Sequence, residues 1–76
     1  MTNSNLDLRI RVREIREQLN LTQEGMAEEL GVSFATVNRW ENGWTLPSKL
    51  AMRQIDLLCK KHRLTPLTDT THVAKY

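Results

Sequence analysis

Residues 21–43 read LTQEGMAEELGVSFATVNRWENG, two short helical patterns separated by Gly31-Val32. Neither pattern is long enough to be stable alone, because isolated helices shorter than about 12–15 residues are marginal in water. Each carries its own punctuation. Thr22 is suited to cap a helix that begins at Gln23, with Glu24 in its positive first turn. Met26, Ala27 and Leu30 share one face of that helix, and Gly25 inside it costs about 1 kcal/mol against Ala. Gly31 suits a left-handed C-terminal cap, and Ser33 caps the next helix. That helix runs to Asn42 with Val37 and Trp40 inward, and Gly43 stops it. The two clipped helices face each other across the break, and the small Ala27 lets the second approach the first closely.

Working outward, Leu8, Val12, Ile15 and Leu19 recur at helical spacing, while Arg9, Arg11, Arg13, Glu14, Arg16 and Glu17 fill the other positions. Trp44 to Pro47 form a loop. Ser48 caps a last helix in which Ala51, Ile55 and Leu58 share a face and Cys59 lies beside it. The reading predicts helices near 7–20, 22–30, 33–42 and 48–62, with no strand pattern and no internal repeat. It divides the chain into a flexible polar tail at 1–5, a domain at 6–64, and a loose tail at 65–76 that contains LTDTTHVAKY.

With 76 residues the chain forms one domain with a small core. The lone cysteine, Cys59, makes no internal disulfide and no metal cluster, which fits a reducing, cytoplasmic setting. The N-terminus lacks the apolar run of a signal peptide, and no stretch approaches the roughly 20 apolar residues of a membrane span. No cofactor or metal is expected. Net charge is +2, too mild to name a partner by itself.

Two short helices held rigidly across a tight break suit a helix-turn-helix, whose second helix enters the DNA major groove. The sequences LTQEGMAEELGVS and VNRWENG resemble those of the Cro and phage-repressor class, also called the xenobiotic-response-element (XRE) family. The resemblance covers about residues 6–62. It implies an all-α, lambda-repressor-like DNA-binding domain of four to five helices.

The resemblance further implies a set of contacts. Gln23, at a helix start whose free amides favour an anion, is placed on DNA phosphate or acts as a plain cap. Ser33, Phe34, Ala35 and Thr36 lie nearest the groove, with Asn38 and Arg39 one turn on. Arg39 can bond two acceptors of a guanine edge. Phe34 stands where polar readers are common; it either meets a thymine methyl or packs back on the domain or on a partner. Asn42, Trp44, Thr45 and Lys49 follow where the family contacts the backbone. Trp44 replaces a common basic residue, so it either donates its indole N–H to phosphate or is buried. The resemblance pairs Glu41 with Arg16, which a planar guanidinium can hold with two bonds.

Residues 22–47 hold four carboxylates (Glu24, Glu28, Glu29, Glu41) against one cation (Arg39), a net of −3. Positive potential must therefore come from the arginines of the first helix, Lys49 and oriented amides, with modest, salt-sensitive affinity per domain. The leading function is sequence-specific binding of double-stranded DNA as a repressor-like transcription regulator, as a homodimer formed in solution or only on DNA. The alternative is an antitoxin or accessory module that binds a protein partner. An enzyme is rejected, because His62 and His72 stand alone and no catalytic set, metal spacing or phosphate loop is present.

Overall fold

The computed structural model describes residues 4–67, with side chains from Leu8 onward. It contains four helices: α1 Ser4–Gln18, α2 Gln23–Leu30, α3 Phe34–Glu41 and α4 Lys49–Lys61. No strand occurs among the described residues.

Three helices start in the same way. Thr22 Oγ1 accepts from the Gly25 amide at 2.9 Å, Ser33 Oγ from Thr36 at 3.1 Å and Ser48 Oγ from Ala51 at 3.1 Å. Each hydroxyl satisfies one of the amides that a helix start leaves without an intrahelical partner.

All four helices also end alike. After α1 the chain turns left-handed at Asn20 (φ 58°), after α2 at Gly31 (72°), after α3 at Gly43 (78°) and after α4 at Arg63 (61°). The next amide then reaches back to an orphan carbonyl in each case: Leu21 to Arg16, Val32 to Ala27, Trp44 to Arg39 and Leu64 to Cys59, at 2.8–3.0 Å. Glycine adopts this conformation without penalty at Gly31 and Gly43, whereas Arg63 carries a Cβ there.

These ends shift the expected boundaries. α1 stops at Gln18 rather than near Asn20, because Asn20 itself makes the left-handed turn. It begins at Ser4, inside the stretch read as a tail, since a missing apolar period does not forbid helix. Residues 1–3 lie outside the described part of the chain.

The core gathers Val12 and Ile15 from α1, Met26 and Ala27 from α2, Val37 and Trp40 from α3, and Ile55 and Cys59 from α4. Leu30 and Val32 pack against it from the α2–α3 turn. Leu67 joins the core at 1 % exposure, although its segment has no helical period and reads as part of a loose tail. The segment after α4 folds back over α1, where Arg11 Nη2 donates to the Thr65 carbonyl at 3.0 Å. The domain therefore extends at least to Leu67, and the remaining tail, 68–76, lies outside the described residues.

Gly25 also has a local reason. A Cβ at this position would lie 3.3 Å from the capping Thr22 hydroxyl and 3.4 Å from Leu21.

Candidate nucleic-acid interface

The carboxylate of Glu41, at the end of α3, organises the polar part of the domain. Glu41 is 2 % exposed. Arg16 of α1 grips it with two bonds, Nε to Oε2 at 2.6 Å and Nη2 to Oε1 at 2.9 Å. The third Arg16 nitrogen, Nη1, donates to the Leu21 carbonyl at 3.0 Å, so the guanidinium ties together α1, the α1–α2 turn and α3. Burial alone would push the Glu41 pKa up. The hydrogen bonds from Arg16 and Gln23, the Arg16 charge and a looser bond from Arg13 outweigh that and hold it below the ordinary carboxylate value. The same hydrogen bond to Glu41 raises Arg16. The pair is ionised at neutral pH.

An ionised carboxylate only accepts hydrogen bonds, and this orders a chain of amides. Gln23 Nε2 donates to Glu41 Oε1 at 3.0 Å. Gln23 Oε1 then accepts from Asn38 Nδ2 at 3.0 Å. Asn38 Oδ1 in turn accepts from Asn42 Nδ2 at 3.0 Å, and the same Asn42 nitrogen also donates to the Asn38 carbonyl at 3.0 Å. The relay runs from a buried charge to an exposed residue and joins α1, α2 and α3. No buried side-chain nitrogen or oxygen among the described residues lacks a partner.

This arrangement sorts the predicted contact residues by what they have left to offer. Gln23 and Asn38 each use one amide hydrogen inside the relay and keep one. Asn42 directs its amide nitrogen at two oxygens of Asn38. Ser33 Oγ and Thr36 Oγ1 lie 2.9 Å apart and share one hydrogen bond, besides the cap. Phe34, half exposed at 49 %, and exposed Ala35 form an apolar lead edge on α3. Arg39 is exposed and forms no ion pair with a described residue. Trp44 is 78 % exposed, which removes the buried alternative for it, and Lys49 is exposed at the start of α4.

The structure also shows which of the first-helix arginines, to which the sequence assigns positive potential as a group, stand near the end of α3. Arg13 Nε lies 3.5 Å from Glu41 Oε1, at the limit of a hydrogen bond. The side chain of Arg9 crosses Gly43 in the turn after α3. Arg9, Arg13 and Arg16 stand at i, i+4 and i+7 on α1, so the pairing of Arg16 with Glu41 carried the signal for the other two.

The helix-turn-helix family of the Cro/C1, XRE-like type matches residues 12–63. The chain belongs to that family. In this fold the helix-turn-helix is α2, the turn at Gly31-Val32, and α3, and the domain is a DNA-binding module. A curated relative, the type II methyltransferase M1.ScrFI of Lactococcus lactis subsp. cremoris, is 39 % identical over 56 residues. The match takes in 70 % of this chain but 14 % of that protein's length. No solved structure is a significant match to the chain. Among the described residues no helix is long and apolar enough to cross a membrane, and no group of three His, Cys, Asp or Glu could hold a metal ion.

Proposed function

We propose that the chain binds defined sequences of double-stranded DNA and acts as a transcription regulator, with α3 as the recognition helix in the major groove. The observation that carries this reading is the division of labour on α3. Its inner side is locked by Val37, Trp40 and the Glu41 relay, while Phe34, Ala35 and Arg39 are left exposed. An apolar edge suits a thymine methyl, and a free guanidinium suits the O6 and N7 of guanine. Gln23, Asn38, Trp44 and Lys49 supply donors for phosphate, and the relay holds Gln23 and Asn38 in place before DNA arrives.

An α3 of eight residues is about 12 Å long and spans only about four base pairs. Two copies on a palindrome, with half-sites about 34 Å apart, give the site a useful length. A buried, lone Cys59 is in keeping with a reducing cytoplasm. The methyltransferase activity named for the relative is not carried over, because the match covers 14 % of that protein.

Selection of duplexes from a random pool tests the reading. Enrichment of a short motif, repeated as a palindrome, is the expected result. A pool that stays random through successive rounds, while the protein remains folded, contradicts it.

A further inference from the structure

The helix-turn-helix segment is acidic, so its attraction for DNA depends on cations brought in from outside it. Arg9, Arg13 and Arg16 share one face of α1, which lies against the end of α3; two of them, Arg13 and Arg16, meet the buried carboxylate of Glu41. Arg16 is committed to Glu41, and Arg13 touches it loosely. Arg9 reaches further, to the turn itself: a Cβ on Gly43 would meet Arg9 Cδ at 3.5 Å and Nε at 4.0 Å. Its aliphatic stem is therefore seated over the bare glycine backbone, with Nε at the same turn between Asn42 and Trp44.

Two ordinary roles for Arg9 are already filled. It is not needed to cap α3, because the carbonyls of Asn38, Arg39 and Trp40 receive the amides of Asn42, Trp44 and Gly43. It also forms no ion pair among the residues whose side chains are described, from Leu8 to Leu67. What remains is a partly exposed arginine whose stem crosses Gly43 near the negative end of α3, in a turn whose flanking residues, Asn42 and Trp44, are both exposed.

We propose that Arg9 binds a phosphodiester of the DNA backbone at the α1–α3 junction and supplies part of the positive potential that the motif lacks. The proposal rests on the DNA-binding reading above. It assigns Arg9 a positioning role, since a phosphate contact fixes the register of α3 without reading bases.

The test uses the full chain and two duplexes, one carrying the selected motif and one scrambled. Affinities are measured by anisotropy across salt concentrations for the wild type, Arg9→Gln, Arg9→Ala, Arg9→Lys and Lys60→Gln. Lys60, exposed near the far end of α4, controls for loss of any positive charge. Arg9→Gln and Arg9→Ala should weaken both duplexes by the same factor and reduce the slope of log affinity against log salt by about 0.9. The gap between wild type and variant then shrinks roughly threefold from about 50 to about 200 mM salt. Arg9→Lys should restore the slope, and Lys60→Gln should leave it unchanged. Thermal unfolding checks that each variant is folded, and Arg9→Gln keeps the stem should Arg9→Ala lose the fold. An unchanged slope in folded Arg9→Gln, or an equal loss in Lys60→Gln, overturns the proposal while leaving DNA binding intact. A wild type that binds neither duplex overturns the DNA-binding reading and the proposal with it.

Discussion

Glu41→Ala is the substitution on which the structure makes its largest energetic statement. The change removes both carboxylate acceptors of Arg16, whose side chain is only 16 % exposed, and the acceptor of Gln23. Removing one partner of a buried ion pair costs about 3–5 kcal/mol, mostly because the other charge is left uncompensated. Arg16 keeps its bond to the Leu21 carbonyl and has some access to water, so the lower end, about 3 kcal/mol, applies here. A chain of 76 residues has about 4–11 kcal/mol of total stability, with small domains near the lower limit. The variant should therefore lose a large share of its stability and melt more than about 10 °C lower. Thermal unfolding followed by circular dichroism measures this. The double variant Arg16→Met/Glu41→Leu provides the control, because replacing a buried pair by apolar residues of similar volume is often neutral or stabilising. It should be more stable than Glu41→Ala alone. A Glu41→Ala shift below about 2 °C, or additivity of the two single changes in the cycle, would refute the idea that this pair holds α1 to α3.

Acid should act through the same carboxylate. The folded pKa of Glu41 lies below its ordinary 4.5, so its stabilisation is complete above the unfolded value and is lost as pH falls through the folded one. The stability gap between wild type and Glu41→Gln should therefore narrow from about pH 6 to about pH 3, and a constant gap would contradict this. Leu67→Ala should cost about 2–4 kcal/mol in denaturant titration, whereas a residue outside the core would cost little. Arg63→Gly should raise stability by up to about 1 kcal/mol, because relief of the left-handed strain exceeds the added freedom of the unfolded chain. A lower melting temperature for that variant would show that the Arg63 side chain contributes more than its backbone costs.

The parts of the fold that were legible in the sequence are those set by local chemistry. Thr22, Ser33 and Ser48 each have a hydroxyl three residues before the amide they cap, and Gly31 and Gly43 turn the chain where only glycine does so freely. The left-handed turns at Asn20 and Arg63 were harder to read, because neither residue type demands that conformation. Burial of Leu67 depends on α1 and on a contact between Arg11 and Thr65, 54 residues apart, which no local window contains. The candidate surface divides in the same way. Arg39 and Lys49 stand out in the sequence by type and position, and both are exposed. The Glu41–Gln23–Asn38–Asn42 relay does not stand out, because its order follows from one buried charge meeting amides from two helices. For Arg9 the helical spacing from Arg16 gives the side of α1 it stands on, but its place over Gly43 is fixed by how α1 crosses the end of α3.

The central claim is that α3 reads bases through its exposed side, and Arg39→Ala tests it most directly. Affinity is measured for wild type and variant on the selected duplex and on a scrambled one, at two salt concentrations. If Arg39 bonds a guanine edge, the variant loses roughly 1–3 kcal/mol on the selected duplex, much less on the scrambled one, and its preference relaxes at one position per half-site. If Arg39→Ala lowers both affinities by the same factor, Arg39 binds only phosphate and the base-reading role assigned to α3 is contradicted.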